Sequence, residues 1–456
     1  MSEFGARVGA GFGAALGWLR IAAAVMCGVA AAGQAAAQAP ASSDDAVHLG
    51  VASCAGSTCH GAVQPLKGSS VAQNEYITWS RKDKHAKAYT VLGEARSQRI
   101  ARNLGLGDAR TAAVCLDCHA DNVPPERRGP QFQISDGVGC EACHGGAKSW
   151  LGVHISGAKH ADNLAAGMYP TDAPVARADK CLSCHGGDEK RFITHTIMGA
   201  GHPRVGFELD TYTAAEPAHF VIDKDYIARK GAAASDVRVW AVGQAVALVK
   251  FMDAVIDPKH APHGIFPELV LFDCTACHHP MSDLRWQPRP SAGLPPGLPP
   301  LNDSNAIMLK VIAGRVAPDA AKSLGEHLLA LHHASLDNWA NVQREARALR
   351  DVASQLVPQL EHHEFGRDDM RALADGVIAA GLSRDAADYP GAEQATMALA
   401  SIVSEMRTTG AATESQAKAI NTALNGLYES LAKDDTYKPE AFLGSLKDLA
   451  NTLPAR

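Results

Sequence analysis

Five times in this chain a pair of closely spaced cysteines is followed at once by a histidine. Four of these have two residues between the cysteines: Cys115–Cys118–His119, Cys140–Cys143–His144, Cys181–Cys184–His185 and Cys274–Cys277–His278. The first in the chain is wider, with four residues between Cys54 and Cys59 before His60. Paired cysteines also make zinc sites and disulfides. Neither use needs a histidine directly after every second cysteine, and histidine supplies only 20 of 456 residues. C-x-x-C-H is the attachment signal of c-type haem. Two thiols add across the vinyl groups as thioethers, and the next residue turns its imidazole under the iron as proximal ligand. The expectation is five covalently held haems c, with His60, His119, His144, His185 and His278 as proximal ligands.

The rest of the composition agrees with such a cargo. Aromatic residues make up only 5% of the chain, little for a core of this size, and each porphyrin is a large flat hydrophobe that side chains pack against. The formal charge is −6, with no basic tract of the kind nucleic acid requires. At the N-terminus Arg7 and Arg20 precede the apolar run from Ile21 to Ala32, and small residues follow at Ala35 to Ala37. This reads as a signal peptide over residues 1–39, cleaved after Ala37 or Ala39, so export to the periplasm is expected. Cys27, the one cysteine outside the motifs, lies in this segment beside Val25 and Met26, a poor lipoprotein box. An uncleaved helix tethering the protein to the inner membrane is the alternative.

Three zones follow. Residues 40–286 hold every motif and form the expected pentahaem domain, with little regular sheet. Residues 287–302 carry six prolines in sixteen positions, which excludes helix and central strand and predicts a linker or a surface strap. Residues 303–456 contain no cysteine and read as a C-terminal antiparallel helical bundle, so the fold class is mainly α. Ile420, Leu424, Leu427 and Leu431 share one helical face behind a Thr413–Gln416 capping box. Leu324, Leu328, Leu331, Trp339, Leu349, Val352 and Leu356 make comparable stripes. The bundle is expected to cap the haem domain; the alternative is a docking face for a partner.

Each motif supplies one axial ligand, and the far face of each iron is either capped by a second side chain or open. Five histidines are spent as proximal ligands, leaving fifteen candidates. Residues from about 50 to 205 resemble the tetrahaem cytochrome c554 family, electron acceptors associated with hydroxylamine oxidation. The likeness rests on Trp79 leading into KHAKAY at 84–89, CLDCHAD at 115–121, GVGCEACHGG at 137–146 with His154 after it, and CLSCH at 181–185. It implies His85 as distal ligand to the haem of His144, and His154 as distal ligand to the haem of His60. It also implies an open distal face on the haem of His119, able to take a small ligand such as nitric oxide; closure by another histidine is the other reading. For the haem of His185, His202 and His195 are the candidates, and His160, His219, His260 and His263 are weaker ones.

The chain departs from that family in three ways. Its first motif is wide, a spacing known in multihaem cytochromes of the class III type. It carries a fifth motif, FDCTACHHPMSDLRW at 272–286, and it has the helical C-terminal region. His279 cannot reach the far face of its own iron, but the second histidine of such pairs serves a neighbouring haem in class III cytochromes, so His279 is a further distal candidate. No strand–helix glycine loop fits a nucleotide, because the glycine-rich run near residue 8 lies in the signal segment. No cysteine is left for nucleophilic catalysis. The expectation is an electron carrier between redox proteins, with membranes entering only where a partner is docked. Two alternatives stand beside it: a haem enzyme converting a small nitrogen or sulfur compound at the His119 haem, and a structural subunit relaying electrons inside a larger complex.

Overall fold

The structure is a computed structural model that describes residues 46–262, 266–279 and 287–453. The signal segment with Cys27, and His263, lie outside the described residues. The described chain is mainly α. Its only β-pairing is two isolated bridges, His48 with Arg128 and Phe272 with Leu301.

Up to about residue 230 the helices are short and joined by tight turns. The longest in this part, Pro174–His185, starts with proline at its first turn, where the missing N–H costs nothing. The chain then changes character. The Asp236–Ile256 helix is capped by the Ser235 side chain, which accepts from the Arg238 N–H, and it buries twelve of its residues, among them Trp240, Leu248 and Met252. By length and composition alone it could cross a membrane, but here it is a core helix. Against it pack Ser304–Val316, Trp339–His362 and Tyr389–Thr408, and Pro318–Ala334 packs on the first two of these. Arg367–Leu382 packs on Tyr389–Thr408, and Glu414–Ser430 on Pro439–Thr452. In Trp339–His362 the buried Val342, Ala346, Leu349, Ala353, Leu356 and Leu360 lie along one face. Each fully buried large aliphatic side chain of this kind contributes roughly 1.5–3 kcal/mol. The Thr413–Gln416 capping box is formed, with the Thr413 hydroxyl accepting from the Gln416 N–H.

The expected boundary between a haem domain ending at 286 and a bundle starting at 303 does not divide the core. One hydrophobic cluster runs from Ala178 and Leu182, through the 236–256 helix, to Leu453. An almost wholly apolar helix cannot stay on one side of a boundary; it buries itself among its helical neighbours. The proline-rich segment is a strap laid across this core, with Ala292, Leu294 and Leu301 buried. Its Arg289 donates to Asp303 and Asp388 and to the Asp385 carbonyl. The helix Pro174–His185, which ends in the fourth motif, is thus rooted in the bundle by its own apolar face.

Candidate functional site

Residues i, i+3 and i+4 of a helix face the same way, so a helical C-x-x-C-H presents both thiols and the imidazole to one side. Three motifs use this device: Ala113–His119, Cys140–His144 and the end of Pro174–His185. The fifth motif turns through a 3-10 helix at Cys274–Ala276, capped by the Asp273 carboxylate, which accepts from the Thr275 N–H. The wide first motif is a loop, closed by a hydrogen bond from the His60 N–H to the Cys54 carbonyl (3.2 Å). None of the ten motif cysteines is in a disulfide.

Each motif histidine faces a second imidazole. The ring centres of His60 and His154 are 6.0 Å apart, His185 and His85 6.3 Å, His119 and His202 6.4 Å, His144 and His219 6.4 Å, and His278 and His195 6.1 Å. Other ring pairs in the structure range from 4.1 Å (Phe192 and His260) to 6.2 Å (Phe220 and Tyr226), so it is the recurrence at all five motif histidines that is informative. Two metal–imidazole bonds of about 2 Å, with roughly 1 Å from each nitrogen to its ring centre, sum to about 6 Å. Each gap therefore has the length of an iron held between two axial nitrogens.

The hydrogen bonds leave the correct nitrogen free. The Nδ1–H of His119 donates to the Ala88 carbonyl (2.9 Å) and that of His202 to the Pro203 carbonyl (2.8 Å). A carbonyl only accepts, so Nδ1 carries the proton and Nε2 keeps its lone pair for a metal. His60 Nδ1 donates to Glu75 (2.9 Å) and His85 Nδ1 to Asp83 (3.0 Å). These carboxylates raise the His60 and His85 pKa values through the hydrogen bond first. Burial pushes His144 and His185 down to about 4, and lowers His154 and His202 as well. His144 and His185 are therefore neutral at physiological pH, the form that binds a metal.

The pairing differs from the sequence reading in four places. His85 faces His185 rather than His144. Asp83 accepts from both the backbone N–H and Nδ1 of His85, and the Val138 N–H donates to the His85 carbonyl (3.1 Å). That approach needs Gly137, at φ +76°, where an added Cβ would lie 2.7 Å from the same carbonyl. His202 faces His119 rather than His185. Arg96 and Asn103 donate to the carbonyls of Gly201 and Ala200, which ties this turn to the Ala95–Asn103 helix. His195 faces His278, its N–H held by Glu268 (2.7 Å). All five motif histidines have a facing ring without His279. His154 lies against His60, the partner the resemblance implies. His219, which faces His144, stands in AEPAHF thirty-four residues after the fourth motif, and no local pattern marks it.

The sequence also missed Glu141, inside the third motif. Its buried carboxylate accepts from the N–H groups of Leu49, Gly50 and Ala147, each at 2.7 Å, clamping the approach to the first motif onto the third. Cys54 lies beside Cys140, and Cys118 beside Cys184. The remaining weak candidates have other employment. His160 donates from Nε2 to Asp172 (2.9 Å); His260 donates to the Ala254 carbonyl and lies on Phe192.

The residues present fit haem. Alongside the facing imidazoles, a cavity with ≈ 1080 Å³ of empty space, its open mouth included, is lined by Cys184, His185, Phe207 and Cys274. Arg204 is at its wall with a buried Nε that no protein atom satisfies, as a propionate carboxylate would. A helical chain with these motifs and facing histidines defines a c-type cytochrome, a covalent-haem protein of electron transfer. Residues 53–145 match the family model described as cytochrome c554 and c-prime, which places this haem-bearing segment in the cytochrome c554 family. The match spans about a fifth of the chain and ends before the fourth motif. No curated protein and no solved structure matches the chain.

Proposed function

We propose that this chain is an exported five-haem electron carrier in which every iron has two histidine ligands. The supporting observation is the set of five facing imidazole pairs at 6.0–6.4 Å. Cys54, Cys59, Cys115, Cys118, Cys140, Cys143, Cys181, Cys184, Cys274 and Cys277 would hold the haems as thioethers. His60, His119, His144, His185 and His278 would serve as proximal ligands, and His154, His202, His219, His85 and His195 as distal ones. Haem iron supplies a one-electron ferric–ferrous couple. The chain's residues hold both axial imidazoles in one orientation, so little rearranges when the charge changes, and their hydrogen-bond acceptors tune the potential. The redox partners are other proteins. Export rests on the charged and apolar pattern of residues 1–39, and covalent haem attachment outside the cytoplasm agrees with it.

A haem enzyme acting on a nitrogen or sulfur compound requires an open iron face, and His202 stands over the one proposed for it. Counting haems on purified protein, with an electron paramagnetic resonance spectrum of the oxidised sample, tests the reading. Five haems with low-spin signals indifferent to nitric oxide are expected. Fewer haems, or a high-spin signal that shifts on adding nitric oxide, would overturn it.

A further inference from the structure

The fifth motif lies outside the matched family segment, and its place in an electron path is open. The cavity settles which motif it adjoins. One side is built from the fourth motif, with Cys184, His185 and, stacked on the His185 ring at 5.0 Å, Phe207. The other side is built from the fifth, with Phe272 and Cys274, and from Ile193 and Met198, which flank His195. No protein layer separates the two. The fourth motif has two other neighbours: Cys184 lies beside Cys118 of the second motif, and Cys181 lies near Cys143 of the third. The third in turn contacts the first through Cys140 and Cys54.

We propose that the fourth motif is a three-way junction, where the groups held at the third, second and fifth motifs all converge on the one held by Cys181 and Cys184. This rests on the five-haem reading above. The path is then branched, with ends at the first, second and fifth motifs. Two of these ends reach the surface: Cys59 and Cys277 are the exposed cysteines among the ten, and Val63, four residues after Cys59, is 75% exposed. Exposed apolar side chains around a buried redox group suit transient protein docking. An electron entering at one end can leave by either of the others. At each transfer one iron is oxidised by one electron as its neighbour is reduced by one, and no bond or proton changes place.

The test is a redox titration followed by proton NMR, which reads each haem separately, on the intact exported protein. The resonances of the fourth-motif haem are assigned by their contact with the Phe207 ring. Two variants are compared with wild type: Cys274→Ala with Cys277→Ala, which drops the fifth haem, and His195→Met, which keeps it and changes its potential. Charge interaction falls with distance, so among the haems other than the fifth the fourth-motif midpoint should shift about twice as much as any other in both variants. The largest shift at the His119, His144 or His60 haem would overturn the junction. A wild-type haem count other than five would instead overturn the reading beneath it. His195→Met keeps the question answerable where the double variant does not fold.

Discussion

Replacing Glu75 with glutamine should raise the midpoint potential of the haem proposed at Cys54 and Cys59. Glu75 Oε2 accepts from His60 Nδ1 at 2.9 Å. Adding about 2 Å across the imidazole and about 2 Å for the metal bond puts the carboxylate roughly 7 Å from the iron. At an effective dielectric of about 20 a unit charge at that distance is worth roughly 2.4 kcal/mol, and at about 80 roughly 0.6 kcal/mol. With about 59 mV per tenfold for one electron, these limits correspond to about 100 and 25 mV. The Glu75 side chain is 17% exposed, so a shift of about 50–100 mV is expected. The sign follows from charge: the carboxylate stabilises ferric over ferrous iron, and Glu75→Gln removes that preference. Burial pushes the Glu75 pKa up, but its hydrogen bonds, led by the one from His60, outweigh this and hold it below the ordinary carboxylate range. The group is therefore charged throughout the neutral range. The difference between variant and wild type should hold from about pH 6 to 8 and shrink only as pH falls through the depressed pKa. Spectroelectrochemical titration with haem-resolved NMR measures it. A midpoint that stays put or falls, or an equal shift spread over every haem, would refute the reasoning.

Three further outcomes are expected. His202→Gly should open the His119 position, giving a high-spin ferric signal and nitric oxide binding absent from wild type; an unchanged low-spin spectrum would show that His202 is not the sixth ligand. Glu141→Gln should cost roughly 2–5 kcal/mol in denaturant unfolding, because one amide oxygen cannot accept from three N–H groups; a loss under about 0.5 kcal/mol would mean that the clamp on the first motif is incidental. Asp210 is raised to about 7, chiefly by burial, although the Ser401 hydroxyl donates to it. Its folded pKa exceeds the unfolded one, so the native state holds the proton longer and stability falls as pH rises from about 4 through 7. Asp210→Asn should remove that decline, with melting curves at pH 5 and pH 8 closer together than in wild type; an equal fall in both proteins would count against it.

The motifs were legible because covalent attachment demands its residues within five or seven consecutive positions, and local spacing is what a sequence displays. The helical character of 303–453 was legible for a similar reason: the Thr413–Gln416 box and the leucine stripe are local patterns. Order along the chain groups residues 236–256 with the motifs. The largely apolar sequence of this helix carries no address, and the bundle helices packed around it bury twelve of its residues. The proline-rich segment was rightly denied regular structure, but its role as a strap depends on Arg289 finding Asp388, 99 positions away.

The distal histidines mark the sharpest division. Which five histidines follow the cysteines is written in the chain, together with the chemistry they would bring. Which five face them is a matter of where distant segments meet. His219 and His144 are 75 positions apart, and His85 and His185 are 100 apart; both pairs meet only because Asp83, Gly137 and the short helices between them fold the backbone that way. A facing ligand needs a position in space and no spacing in sequence, so the tertiary structure alone decided how the five imidazole pairs were made.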